Sequence, residues 1–182
     1  SLGITTYGIY VLVIITLGFI FGISSWGIGY KSRRYLPSAP DMEERRKLFY
    51  PPLFFQMISS LILTLIFIAV LPLWNPRLLN SGIILWLFPV YLLITVFYSY
   101  LTVYFQYTQR LIYYNYGTAM LPYVMIGLII FYFLFGGVLS VNVLLFIDIL
   151  PMILISLPLF LKMYGEIGFY GYFYRWKPLW EE

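Results

Sequence analysis

The sequence predicts an all-α integral membrane protein with five transmembrane helices, a short inner amphipathic segment and an aromatic interfacial tail. Two observations predict this class, and a third predicts its orientation in the membrane. Hydrophobic residues make up 62% of the chain and charged residues only 10%, which leaves no room for a soluble domain. Long stretches lack charged residues, and about 20 apolar residues cross the roughly 30 Å hydrocarbon layer as a helix. The third observation is the distribution of Lys and Arg, which predicts the orientation.

The charged residues divide the chain into a single polytopic domain. The predicted spans cover residues 4–30, 53–74, 83–106, 118–138 and 143–161. An inner loop over 31–52 follows the first span, and the tail over 162–182 follows the last. The final two spans share the stretch 111–161, whose single charge is Asp148, and glycine, serine and asparagine favour a break within 136–142. One span followed by a re-entrant hairpin is the alternative for this stretch.

Basic residues predict which ends of the spans face inward. With five spans and an outside N-terminus, ten of the eleven Lys and Arg residues fall inside, whereas four spans would give seven against four. Because inner loops carry the excess of Lys and Arg, the sequence favours five spans, with the N-terminus out and the C-terminus in.

The inner loop contains a predicted short helix over residues 38–50. Asp41 is positioned to cap this helix, with Glu44 at the spacing of a capping box. Pro51 and Pro52 are expected to separate it from the second span, because proline removes a backbone donor.

Basic and aromatic residues near the inner surface are candidates for contact with anionic headgroups or with a partner protein. The aromatic tail offers the same two interpretations, since it can anchor at the interface or pack onto another subunit. These candidate contact residues are Arg45, Arg46, Lys47, Trp176 and Trp180.

Small residues recur along one side of the first span. Gly18, Gly22, Ser25 and Gly29 follow intervals of four, three and four, and the first two form a GxxxG pair. Such a groove lets another helix approach closely. The favoured interpretation is packing against the second or third span, and the alternative is contact with a different subunit.

Two polar stripes are expected to face one another in the membrane, because unpaired hydroxyl and amide groups are costly in lipid. A hydrated path, or part of a quinone or lipid pocket, is the functional alternative. The second span contributes Gln56, Ser60 and Thr64, and the third contributes Thr95, Ser99, Thr102, Gln106 and Gln109.

Asp148 is the only acidic residue deep in an apolar run. An ionised carboxylate at membrane depth costs at least about 2.5 kcal/mol, so it needs a partner, water or a proton. A structural, hydrogen-bonded aspartate and a role in ion or proton movement are both open.

The chain has no Cys and no His, which removes thiolate chemistry and the commonest ligand of haem, copper and zinc. We therefore expect no cofactor of its own, with a structural lipid or a nearby quinone as the remaining candidates. The net charge of +4 is too dispersed for nucleic-acid binding. Other membrane subunits and lipids are the expected partners.

These observations favour a non-catalytic subunit of a multi-subunit membrane complex, with a respiratory or other electron-transfer complex as the expected assembly. A small transporter or an ion- or proton-conducting protein that uses Asp148 is the alternative. We do not expect the chain to catalyse a reaction itself, because paired carboxylates and nucleophile–base pairs are missing from the sequence. The richness in Tyr and Ile, with few Asn and Gln and no Cys, indicates a thermophilic prokaryote and its plasma membrane.

One resemblance points the same way. The first span, the long inner loop and a second span ending Val70-Leu71-Pro72-Leu73-Trp74 resemble the small A subunit family of NADH:quinone oxidoreductase. The resemblance implies a place in a respiratory membrane complex. The loop lacks that family's Glu followed closely by Gly, and the second span lacks the family's acidic pair, with Gln56 as its only strong polar group. No site residues are therefore transferred.

Overall fold

The computed structural model describes residues 4–25, 27, 33–74, 82–137 and 140–168. In these ranges the regular structure is entirely helical, which confirms the all-α class. The helices are α1 (Ile4–Ser24), α2 (Met42–Trp74), α3 (Gly82–Tyr107), α4 (Leu111–Leu134) and α5 (Val141–Ile167), with a short 3₁₀ turn at Leu36–Ser38. Each of the five α-helices is long and apolar enough to cross a membrane.

Helices α3 and α5 form the centre of the bundle. Helix α3 contacts the other four helices and the 3₁₀ turn, and its residues Val96, Leu101 and Phe105 are completely buried. Leu145 and Met163 of α5 are equally inaccessible. Long apolar side chains from both helices therefore fill the interior, while α1, α2 and α4 surround them.

Two apolar clusters hold the helices together. The smaller one joins α1 to α3 and α5 through Val13, Leu17, Ile20, Phe88, Leu92 and Leu145. The larger one is rich in aromatic rings and joins the 3₁₀ turn, α2, α3 and α5 through Leu36, Phe49, Tyr50, Leu53, Val96, Tyr100, Leu101, Tyr104, Phe105, Ile155, Leu159, Met163 and Ile167. In the larger cluster the ring of Phe49 meets Tyr50 and Tyr104 edge to face, the geometry that aromatic quadrupoles favour.

The prediction that Pro51 and Pro52 separate an amphipathic segment from the second span is wrong. Helix α2 begins at Met42 and runs through both prolines as one helix of 33 residues. At 1.5 Å per residue it is about 50 Å long, so its charged first turns extend beyond a hydrocarbon layer of about 30 Å. Both prolines are buried, and membrane helices tolerate proline because their neighbours compensate for the missing donor. Asp41 caps this helix as predicted, with its Oδ1 accepting from the Glu44 amide at 2.7 Å.

The last two helices are longer than predicted. Helix α4 begins at Leu111 rather than at 118 and ends at Leu134, four residues before the predicted boundary. Helix α5 runs from Val141 to Ile167 instead of 143–161, and Lys162 and Glu166 of its final turns lie 4.0 Å apart at i,i+4 spacing. With 24 and 27 residues, both helices are long and apolar enough to cross a membrane.

The break between these helices lies where glycine was expected to place it. Gly136 has a φ of 72°, its amide donates to Phe133 O at 3.0 Å, and the Gly137 amide donates to Tyr132 O at 3.1 Å. These two bonds form a Schellman motif with glycine in the left-handed position. The hydroxyl of Ser140 then accepts from the Val143 amide at 3.3 Å and caps α5.

The predicted basic loops meet at one end of the bundle, which we call the basic end. There α2 begins, α3 ends, α4 begins and α5 ends. The Arg46 Nε donates to the carbonyl of Ile167, and an Arg110 nitrogen lies 3.9 Å from Glu166 Oε1. Alternation of the helices therefore brings charges from distant parts of the sequence together.

Candidate functional site

Asp148 is buried, with 5% of its surface exposed, and it faces a specific partner. The hydroxyl of Tyr10 in α1 donates to Asp148 Oδ2 at 2.6 Å. Asp148 thus ties α5 to α1 near the end opposite the basic end, and the expectation that it needs a partner is met by tyrosine.

The polar stripe of α2 faces α1, so the expectation that it faces the third span is wrong. Gln56, Ser60 and Thr64 are all buried. The hydroxyl of Ser60 donates to that of Ser24 at 2.8 Å, and Gln56 Nε2 lies 3.4 Å from the carbonyl oxygen of Phe21. Because α1 ends beside these residues, carbonyl and hydroxyl groups in its last turn accept hydrogen bonds from the polar side of α2.

The polar residues of α3 face α4 and α5 instead. The hydroxyl of Thr95 donates to Tyr91 O at 2.8 Å and lies 3.7 Å from Met152 Sδ. Thr102 donates to carbonyls of its own helix, and its methyl group lies against Gly117 of α4. These contacts connect α3 to α4 and α5.

Neither glutamine at the end of this stripe lies in the interior. Gln106 is exposed, and Gln109 is exposed beyond the end of α3 with a φ of 59°. The Arg110 amide donates to Phe105 O at 2.9 Å and the Gln109 amide to Gln106 O at 3.3 Å. This Schellman pattern terminates α3 at Tyr107, which removes Gln109 from the predicted helical stripe.

At Gly18 and Gly22, the small-residue groove of α1 packs against no other helix in the described part of the chain. Gly18 and Gly22 are exposed, and a Cβ added at either would have no atom within 4 Å. The interpretation of intramolecular packing is therefore wrong for both. The hydroxyl of Ser25 donates to Gly22 O at 2.8 Å. Gly29 lies outside the described residues.

A second buried carboxylate organises the basic end. Glu166 Oε2 accepts from the Tyr104 hydroxyl at 3.1 Å, and its Oε1 lies 3.9 Å from Arg110 and 4.0 Å from Lys162. Tyr104 is fully buried and Glu166 largely so, whereas Arg110 and Lys162 remain about half exposed. The carboxylate therefore joins the end of α5 to α3 and α4, with its cations reaching the surface.

The predicted basic contact residues have different surroundings. Arg46 closes the bundle by donating to the carbonyl of Ile167, and Tyr50 donates to the carbonyl of Gly168 at 2.9 Å. Lys47 pairs with Glu43 at 3.0 Å on the exposed face. Arg45 is half-buried, and its Nε has no hydrogen-bond partner among the described residues. Trp176 and Trp180 lie outside those residues.

Sequence reasoning missed three participants: Tyr10, Tyr104 and Glu166. A signal for the first was available, because Tyr10 and Asp148 lie six and seven residues into helices that start at the same side. Equal depth makes a tyrosine hydroxyl a candidate partner for the carboxylate. Glu166 was assigned to the tail, so its hydrogen bond with Tyr104 of α3 was not foreseen.

Within the described ranges no three side chains of Asp and Glu gather closely enough to hold a metal ion. No protein-family model, curated protein or solved structure matches the chain. The class that the fold itself defines is an all-helical protein with five helices suited to cross a membrane.

Proposed function

We propose that this chain is a non-catalytic, integral membrane subunit of a multi-subunit complex, contributing packing and assembly surfaces. The observation that carries the proposal is the open face of α1 at Gly18 and Gly22. Small residues one turn apart allow close helix approach, and here no other described part of the chain packs against them. A helix of another subunit is the occupant that such a face fits.

The polar chemistry of the bundle supports a structural role. Asp148 and Glu166 bind tyrosine hydroxyls of neighbouring helices, and the buried hydroxyls of α2 bind α1. These interactions connect helices and leave the carboxylates far apart, at opposite ends of the bundle. General acid–base chemistry needs paired groups at one site, so this arrangement gives little support to catalysis.

The finer parts of the proposal rest on the sequence. The resemblance over residues 4–74 supports a respiratory or other electron-transfer complex, and composition supports the plasma membrane of a thermophilic prokaryote. The Lys and Arg bias supports an outside N-terminus and an inside C-terminus, with the basic end toward the cytoplasm. In this proposal any haem, metal or flavin belongs to other subunits, while lipid or quinone contacts this chain from outside.

Replacement of Gly22 by Leu tests the assembly surface. A tagged full-length chain is extracted from its own membranes in mild detergent, and the co-purifying polypeptides are quantified. We expect Gly22→Leu to lose a partner that the wild type retains, because the larger side chain prevents close approach. Gly127→Leu is the matched control, since Gly127 is also exposed in a candidate membrane helix with open space around it. Equal recovery of the partner in both variants contradicts the proposed surface.

Deletion of residues 176–182 tests the tail separately. We expect weaker partner recovery with unchanged membrane insertion, because insertion depends on the apolar helices. Full partner recovery after deletion would assign the tail to lipid anchoring alone.

The Asp148–Tyr10 pair favours one alternative, a small transporter or ion-conducting protein. A buried carboxylate with a hydroxyl partner can bind a proton or a cation within a membrane. The purified chain in liposomes would then move a solute or protons, and Asp148→Asn would abolish the flux. Such a result would replace the subunit proposal.

A further inference from the structure

The hydroxyl of Tyr100 is a buried polar group without a partner among the described residues. Only 7% of Tyr100 is exposed, and its ring packs edge to face against Phe49. Buried hydroxyls normally have a hydrogen-bond partner, and an unsatisfied one destabilises the fold. Something that is not part of the described chain is therefore expected to accept from this hydroxyl.

A small cleft at the basic end has Tyr100 among its walls. The cleft has a volume of about 10 Å³, close to the minimum that holds one water-sized group. A ring system is too large, whereas a single oxygen atom of a larger molecule fits. Its walls are Arg33, Leu36, Leu48, Phe49, Tyr100, Val103 and Tyr104.

The charge around the cleft is positive. Arg33 is the one charged side chain among the walls of the cleft. The nearby carboxylate, Glu166, accepts from the Tyr104 hydroxyl and lies near Arg110 and Lys162. The missing acceptor is therefore expected to carry negative charge.

We propose that this cleft binds the phosphate of an anionic phospholipid. One phosphoryl oxygen enters the cleft and accepts from the Tyr100 hydroxyl, while the rest of the phosphate lies at the mouth against Arg33. The cleft lies at the basic end of candidate membrane helices, where the headgroups of anionic lipids meet basic side chains, so a phospholipid is the expected source of the phosphate. The lipid site requires no partner subunit, so it stands or fails independently of the proposed assembly.

Lipid-dependent thermal stability and native mass spectrometry of the delipidated full chain test this site. The probes are phosphatidylglycerol, phosphatidylcholine and inorganic phosphate. We expect phosphatidylglycerol to bind and stabilise the wild type most, and Tyr100→Phe or Arg33→Ala to weaken its binding about 10-fold, as loss of one charge-assisted hydrogen bond predicts. Without lipid, Tyr100→Phe should be at least as stable as the wild type, because it removes an unsatisfied hydroxyl.

Two matched controls separate this site from general effects. Tyr123→Phe removes an exposed hydroxyl from α4, and Arg34→Ala removes the neighbouring cation, which lies over the ring of Tyr35. Both should bind phosphatidylglycerol as the wild type does. Equal loss in Arg34→Ala would indicate diffuse attraction and overturn the site. Equal stabilisation by inorganic phosphate would show that the cleft binds the free anion. Unchanged phosphatidylglycerol binding in Tyr100→Phe would show that water occupies the cleft. Either result would contradict the proposed lipid site.

Discussion

Replacing Tyr10 with Phe should destabilise the bundle by removing the hydroxyl that donates to Asp148. The two oxygen atoms lie 2.6 Å apart, within the range of charge-assisted O–H···O bonds. The ring of Tyr10 is only partly buried, so its apolar contacts should survive the substitution. The change therefore isolates one hydrogen bond between α1 and α5.

The expected loss is about 1.5 kcal/mol in the free energy of unfolding. Hydrogen bonds to charged groups contribute about 1.5–3 kcal/mol in soluble proteins, whereas interhelical polar interactions in membranes average about 0.6 and reach about 1.7. The short distance and the burial of Asp148 place this bond near the upper membrane value. Because the unfolded chain in lipid also finds partners, a larger loss is not expected.

Equilibrium unfolding with SDS in mixed micelles measures this loss. Tyr7→Phe is the matched control, since Tyr7 lies one turn earlier in α1 and is 57% exposed. It should change stability by less than about 0.5 kcal/mol. A double-mutant cycle with Asp148→Ala should give a coupling close to the loss in Tyr10→Phe. Indistinguishable stabilities for Tyr10→Phe and Tyr7→Phe, with no coupling in the cycle, would refute the pairing.

Three further outcomes are expected. Gly117→Leu should loosen α4, because an added Cβ would already lie 3.0 Å from Thr102 and 3.1 Å from a methyl of Leu159, whereas Gly127→Leu should not; protease sensitivity of α4 distinguishes them. Cysteines introduced at Ser38 and Asn80 should react with impermeant reagents from opposite sides, with Ser38 inside, and labelling from one side would contradict the orientation. Optical spectra and metal analysis of the separately purified chain should show no stoichiometric haem, metal or flavin, and a bound haem would contradict the accessory role.

The number of helices could be predicted from the sequence because charge and hydropathy can be read from each stretch of the chain separately. The predicted span 83–106 nearly coincides with α3. Gly136 could be recognised as the end of a helix because this type of ending needs a residue in the left-handed conformation. The predicted second span began at residue 53, just after Pro51 and Pro52, because the low helix propensity of proline favours a break there. Burial of both prolines between neighbouring helices outweighs that local preference.

The partners of the polar residues could not be predicted in the same way, because they depend on how the helices are arranged around α3. Helical spacing placed Gln56 and Ser60 on one face correctly, but not which helix that face meets. Equal depth made Tyr10 a candidate for Asp148, but tyrosine is common throughout these helices, so depth alone does not identify the partner. Contacts separated by more than one hundred residues carry no periodic signal.

The mass of the particle that contains this chain tests the central claim most directly. The tagged chain is extracted with its surrounding membrane into nanodiscs or native-like particles, and its mass is measured by native mass spectrometry. A subunit predicts a fixed assembly in which the 21.5 kDa chain is joined by other polypeptides in constant ratio. A particle containing only this chain, as a monomer or as a multiple of its mass, would contradict the account.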